Sequence, residues 1–460
     1  MCVRGVMGKG NSREVDMLHG PLYGKMVAFM IPLFLSSALQ LLFNAADVIV
    51  VGRYAGGNSL AAVGATGATV ALVVNFFIGF TVGINYAVAK DVASGNDEYV
   101  SRDVHTSMLS SLLFGSVIGF LGIIGARGIL ELINTPEEII DQAALYLSIY
   151  FGGLPGIAIY NAGASIVRSI GDTKRPMYYL VAAGIVNVIL NLYFVIVMGM
   201  NVEGVAIATT VSNYLSCFLM IKAMLNEEGS LKFIPSKLCI DKRSLSEIVN
   251  TGVPSAVQSS MYGITNILIQ SAINSFGAVV IAGSAAAANV ENFMYILSTI
   301  TGNVMLTFMS QNIGGKKYSR IELVFKSAMI IGIVATFAAG GIIFVFRTPI
   351  MSLYSQTPEI IELGCYRLSI VALLTWMDTA MGAYSAALRG LGKAKESMII
   401  SVCAICGFRV LWLKTVFRIF RHYFIILLAW PASWILIIVI YYFYYKKVRA
   451  GYPREDAVID

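Results

Sequence analysis

An all-α integral membrane fold, with twelve transmembrane helices in two pseudo-symmetric six-helix bundles, is predicted by three observations on this 460-residue chain. Hydrophobic residues make up 57% and charged residues only 13%, whereas a soluble domain carries roughly a quarter charged residues. Apolar stretches long enough to cross a bilayer recur from end to end. The first half of the sequence also returns in the second at a nearly constant offset.

The composition leaves too little polar surface to solvate a globule, so lipid is the main solvent. Cys2, Cys217, Cys239, Cys365, Cys403 and Cys406 have neither zinc-site nor disulfide-framework spacing, and they read as packing residues. Cys403 and Cys406 form a C-x-x-C inside an apolar pattern, where small side chains let helices approach. The first two dozen residues are polar without an apolar signal core and read as a cytoplasmic leader, with Met17 an alternative start.

A helix needs about 20 residues to cross roughly 30 Å of hydrocarbon. Twelve stretches qualify, near 26–51, 59–88, 104–126, 139–166, 175–199, 203–224, 247–274, 281–310, 325–346, 359–387, 397–417 and 423–445. Short turns with Gly, Pro, Asn or charged residues join them, and no alternating strand pattern occurs, which excludes an outer-membrane barrel. Lys and Arg number 25 on the termini and one alternate set of loops, against 5 on the other. This bias places both termini in the cytoplasm and accounts for the net charge of +7 without a nucleic-acid partner.

The repeat is explicit in Thr135-Pro136-Glu137-Glu138-Ile139-Ile140, which returns as Thr357-Pro358-Glu359-Ile360-Ile361. Each copy leads to a helix ending in a basic glycine turn, Arg168-Ser169-Ile170-Gly171 and Arg389-Gly390-Leu391-Gly392. Ile31-Pro32 matches Val253-Pro254, so the offset stays near 221 or 222. Six spans per copy preserve orientation, which relates the halves by an axis along the membrane normal, with a cleft between them. The expected domains are an amino-terminal lobe at 1–226, a cytoplasmic linker at 227–246 and a carboxy-terminal lobe at 247–460.

Ionisable side chains in hydrocarbon cost at least about 2.5 kcal/mol, so each marks a functional candidate. Asp47 lies near the outer end of span 1, Asn187 and Asn191 share one face of span 5 at i, i+4, and Thr209 is just inside span 6. The four converge at one depth as an oxygen-only set with one negative charge, suited to a monovalent cation or a proton. Two plainer readings stay open: Asp47 reaching the interface, and the asparagines as interhelical hydrogen-bond glue. Asp378 lies deep in span 10, where it can titrate, face a cationic substrate, or pair with Arg367 or Arg409. Gln258 and Glu291 are further polar candidates, Glu291 with a packing role near a helix kink as its alternative. The arginine–glycine turns are explained as helix C-termini closed by glycine. The G-x-x-x-G pairs Gly79 and Gly83, and Gly152 and Gly156, read as packing faces.

Asn44-Ala45-Ala46-Asp47, Val51-Gly52-Arg53, Leu60-Ala61-Ala62-Val63-Gly64, Arg168-Ser169-Ile170-Gly171-Asp172, Leu388-Arg389-Gly390-Leu391-Gly392 and Gln311-Asn312-Ile313-Gly314-Gly315 together resemble multidrug and toxic compound extrusion (MATE) transporters. That family belongs to the multidrug/oligosaccharidyl-lipid/polysaccharide superfamily, and the similarity spans nearly the whole chain. The resemblance implies two bundles around a cleft exposed alternately to either side of a prokaryotic cell membrane. It also implies export of small organic, often cationic, compounds in exchange for Na+ or H+, with no cofactor, by a functional monomer. The amino-lobe cation site of DinF-like members falls on Asp47, Asn187, Asn191 and Thr209. Asn191 stands where such members can carry a second aspartate. The NorM-like span 7 glutamate aligns with Tyr262, while Asp378 matches that group's span 10 aspartate, so the chain looks nearer to DinF-like members.

The rival reading within the superfamily is a lipid-linked precursor flippase, which would want a larger and more cationic cleft. An enzyme would need clustered His, Cys or acidic residues, and His19, His105 and His422 all lie near span ends. A channel would need a filter-like loop, which is not found. At the repeat offset Asp47 falls on Ile269, Asn187 and Asn191 on Phe408 and Trp412, and Asp378 on Ile157. The ion site is therefore expected in the first half alone.

Overall fold

The computed structural model describes residues 15–456, and every regular element among them is helical. Cys2 and most of the expected leader lie outside the described residues. In chain order the helices are α1 (Leu22–Val50), α2 (Gly57–Ser94), α3 (Asp97–Leu132), α4 (Glu137–Gly152), α5 (Leu154–Ser169), α6 (Lys174–Leu192), α7 (Val202–Leu225), α8 (Lys242–Asn274), α9 (Ala278–Gly314), α10 (Ile321–Val345), α11 (Arg347–Ser352), α12 (Pro358–Gly390), α13 (Ala394–Ser401), α14 (Phe408–Lys414), α15 (Val416–Ile419), α16 (Tyr423–Leu427) and α17 (Ala429–Ala450). Wider π turns extend α1 over Val51–Ala55 and α6 over Tyr193–Val197, and Val402–Gly407 joins α13 to α14. Helices are the expected solution for apolar segments, because each satisfies its backbone polar groups internally.

Ten helical segments among the described residues are long and apolar enough to cross a membrane. The expected fourth span is instead two helices, α4 and α5, bent by 43°, which together make an eleventh. The break falls at Gly152-Gly153 with Pro155 just beyond, where proline removes a backbone donor. The expected seventh span lies within α8, which falls short of the same apolarity because Thr251, Ser255, Gln258, Thr265 and Asn266 interrupt it.

Contacts divide the chain into two compact units, one of Ile31–Gly252 and one of Asp16–Met30 with Val253 onward. Both boundaries fall inside a helix, beside Ile31-Pro32 of α1 and Val253-Pro254 of α8. Packing explains where they fall. In the first unit Ile248 of α8 is fully buried in a core with Phe80, Ile84, Val100 and Val104. A Cβ on Gly83 would stand 2.1 Å from Ile248 O, so α2 and α8 approach too closely for any larger residue. Ion pairs reinforce this: Arg243 Nη2 is 3.1 Å from Asp91 Oδ2, and Lys90 pairs with Glu247. In the second unit Phe29 meets Phe308 edge to face at 5.8 Å, and Asn312 Nδ2 donates to Met17 O at 3.2 Å.

The linker is docked on α3. His105 Nδ1 bonds Ser101 O at 2.6 Å, which makes it the donor and leaves Nε2 to accept from Ile234 N–H at 3.0 Å. The ring also stacks on Phe233 at 5.7 Å. Asp241 caps α8 by accepting from Ser244 N–H at 2.9 Å, and that bond holds its carboxyl below the usual range. Cys217 and Cys406 are buried as expected of packing residues, while Cys239 and Cys403 are exposed.

Candidate functional site

The four polar residues predicted for the first half meet in the first unit. Gly184, Asn187 and Asn191 recur at i, i+3 and i+7 on one face of α6. A Cβ on Gly184 would stand 1.9 Å from Phe43 Cε2, so glycine there lets α1 come against α6. Asp47, one turn beyond Phe43, then reaches Asn191. The π turns Val51–Ala55 and Tyr193–Val197 begin a few residues beyond the two side chains, and Val50, Val51, Val195 and Val205 pack together there as an apolar cap.

Within the site, Asn191 Nδ2 donates to Asp47 Oδ1, and to Asn187 Oδ1 at 3.3 Å. Asn187 Nδ2 donates onward to Thr209 Oγ1 at 3.3 Å. Asn191 is only 1% and Asn187 6% exposed. Asn191 Oδ1 is buried without a partner among the described residues. Asn191 thus turns a donor toward the Asp47 carboxylate while a strong acceptor stays unused nearby. Turning the Asn191 amide over would exchange donor for acceptor, and its oxygen would then face a proton on Asp47 or a cation beside it. The oxygens of Asp47, Asn187, Asn191 and Thr209 therefore fit a hard monovalent ion, carrying one negative charge among them. No cluster of three or more His, Cys, Asp or Glu able to hold a metal ion occurs among the described residues.

The candidates of the second half do not form one group. Glu291 and Arg367, 1% and 5% exposed, face each other along two edges, with Nε to Oε1 at 2.8 Å and Nη2 to Oε2 at 2.7 Å. Arg367 Nη1 donates to Ser284 Oγ at 2.6 Å, and its guanidinium lies 5.1 Å from the Trp430 ring centre. Arg367 is thus committed to Glu291 and unavailable to Asp378. Asp378 Oδ2 accepts from Ser298 Oγ at 2.7 Å. Gln258 Nε2 lies within donating distance of Tyr262 OH, Ser401 Oγ and Ser385 Oγ at 2.9, 2.8 and 3.1 Å, in a buried hydroxyl network that continues to Ser397 and Tyr441. At the repeat equivalents of Asp47, Asn187 and Asn191, Ile269 is fully buried, and Phe408 and Trp412 pack ring to ring at 5.6 Å.

Sequence reasoning missed four contributors. Phe43 and Gly184 set the approach of α1 to α6, and the spacing of Gly184 before Asn187 was a usable signal. Tyr146, stacked on Tyr150 at 6.5 Å, lies close enough to Asp47 to feel its charge, and no sequence pattern marks it. Ser298 is one of many serines.

The MatE family model matches this chain twice, at residues 32–193 and 254–412, so each match begins at the proline of a repeat's first helix. A relative from Bacillus subtilis (strain 168), probable multidrug resistance protein YoeA, is 27% identical over 405 residues, which cover 85% of this chain and 86% of that protein. Probable multidrug resistance protein NorM from Thermotoga maritima is 23% identical, covering 83% and 82%. Among solved structures, an outward-facing multidrug resistance MATE family transporter of the MOP superfamily superposes with a TM-score of 0.87 at 19% identity, over 96% of this chain and 99% of that one. A MOP superfamily transporter from Pyrococcus furiosus gives 0.87 at 20% identity, with the same coverage. At these identities the structural likeness establishes the fold.

Proposed function

We propose, from the premise that this chain belongs to the MatE family of membrane transporters, that it is a multidrug efflux antiporter exporting small organic, often cationic, compounds in exchange for Na+ or H+. The observation that carries this reading is the buried relay Asp47–Asn191–Asn187–Thr209 with its unused Asn191 oxygen. Coupling requires that ion and substrate each bind the two access states with different affinity. A side-chain amide that presents a donor to ionised Asp47 and an acceptor to the loaded site supplies such a difference. In this reading α8 is the seventh of twelve spans in two six-helix bundles, both termini are cytoplasmic, and the monomer is the working unit. The single carboxylate of the ion site and Tyr262 on α8 favour the DinF-like type. A lipid-linked precursor flippase is disfavoured because Glu291 consumes the charge of Arg367, one of the few buried cations.

The deciding experiment is dye efflux from proteoliposomes with sodium and proton gradients imposed separately. At least one gradient is expected to accelerate efflux. Indifference to both would overturn the antiport reading.

A further inference from the structure

Three helices of the first unit meet around a carboxylate that takes no part in the Asp47 site. The start of α8 is seated on α3: Asp241 N–H donates to Thr106 Oγ1 at 3.0 Å, and Asp241 Oδ2 accepts from Arg102 Nη1 at 3.3 Å. On the other side α8 is tied to α2, with Arg243 Nη2 3.1 Å from Asp91 Oδ2 and Lys90 paired to Glu247. Asp103 lies on α3 just before Val104, which shares a buried core with Ile84 and Val88 of α2 and Ile248 of α8. Asp103 itself is only 1% exposed.

The charges around Asp103 do not balance. Arg243 and Lys90 are each shared by Asp91 and Glu247, and Arg102 by Glu98 and Asp241. Every one of these basic side chains is engaged with other carboxylates, and among the described residues none stands at ion-pair distance from Asp103. A buried carboxylate without a counter-charge is costly. Its surroundings offer unused oxygens. Ser107 and Ser111 follow Asp103 at i+4 and i+8 on one face of α3, and both are buried. Asp103 Oδ2, Ser107 Oγ and Ser111 Oγ have no hydrogen-bond partner among the described residues. Neither has Ser244 Oγ, 1% exposed in the first turn of α8, which comes up to Asp103 without completing a hydrogen bond. Protein interiors leave few polar atoms idle, so four in one place point to a bound species.

Water would serve the hydroxyls and leave the charge, whereas a proton on Asp103 would remove the charge and bond to only one of the hydroxyls. A cation uses both. Asp91, Asp103 and Glu247 against Lys90 and Arg243 leave one negative charge, which a monovalent ion cancels and a divalent ion overshoots. We propose that Asp103, Ser107 and Ser244 bind one alkali cation, Na+ or K+, which fastens the start of α8 to α3. The site shares no residue with Asp47, Asn187, Asn191 and Thr209, and it stands independently of the antiport reading.

The test is equilibrium binding of radioactive sodium, and of rubidium standing in for potassium, to the purified full chain in detergent. Asp47→Asn serves as the background, so that the other carboxylate contributes nothing. One of the two ions is expected to bind saturably in that background, and adding Asp103→Asn should abolish the binding. Replacing Ser107→Ala together with Ser244→Ala, which alters no charge, should weaken it about tenfold. Absence of binding by both ions in the Asp47→Asn chain would overturn the proposal and leave Asp103 as a protonated structural group. Binding that survives Asp103→Asn undiminished would overturn it as well. The serine pair is also made in the wild-type chain, so that the answer stands if a carboxylate variant fails to fold: there, unchanged affinity and stoichiometry for both ions would rule the site out.

Discussion

Asn191 turns its Nδ2 toward Asp47 Oδ1 and keeps its own Oδ1 buried without a partner. The pair is therefore poised in one of two hydrogen-bonding states. Asp47→Asn removes the charge that distinguishes them while preserving size. Efflux in proteoliposomes should become insensitive to the ion gradient, falling about tenfold or more from the driven wild-type rate. Retention of gradient-driven efflux would remove Asp47 from the coupling step.

Asn191→Asp would place a second carboxylate in the same oxygen set. Sodium affinity, measured by calorimetry at alkaline pH, should rise about tenfold, because ligand charge sets cation affinity in oxygen sites. Unchanged sodium binding would mean that these residues do not hold the ion.

Glu291→Gln leaves Arg367 buried and uncompensated, and a loss of about 3–5 kcal/mol is expected. Thermal denaturation in detergent should show a clear drop. The double replacement Glu291→Leu with Arg367→Met should recover much of it, since the paired apolar side chains leave no orphaned charge.

Gly83→Ala forces a methyl group against Ile248 O, 2.1 Å from the ideal Cβ position. A cost of about 1–3 kcal/mol is expected from the backbone shift this demands. The equivalent change at Gly64, where a Cβ meets nothing within 4 Å, is the control and should leave the melting temperature unchanged.

His105→Phe keeps the stack on Phe233 and deletes the acceptor of Ile234 N–H. One lost hydrogen bond of about 1 kcal/mol corresponds to about fivefold more opening of the linker. Trypsin should then cleave faster at the exposed Lys232 and Lys237. An unchanged cleavage rate would show that the stack alone holds the linker.

Much of the helical layout was legible, because hydropathy and length report directly on burial in lipid. The meeting of Asp47, Asn187, Asn191 and Thr209 was legible for a related reason: Asn187 and Asn191 share a helix face, and few polar groups interrupt the apolar runs. Charge pairing was not. Glu291 and Arg367 lie 76 residues apart, and nothing local distinguishes that partner for Arg367 from Asp378. The bend between α4 and α5 was spelled by Gly152-Gly153 and Pro155, yet uniform apolarity hid it. The contact units have no local signal, because the packing that draws them involves Gly83 and Ile248, which look ordinary in sequence.

Asn312 and Met17 are joined across 295 residues of chain, and this bears on biosynthesis. Asp16–Met30 leaves the ribosome long before α9 exists, so it must be held without its native neighbours until the second half is made. The early segment is thus a natural client for insertion factors and chaperones, and a vulnerable point for quality-control proteases. A gene cut within the linker would yield two fragments, each carrying a stretch of helix that belongs to the other, so their co-expression should succeed where either fragment alone is degraded.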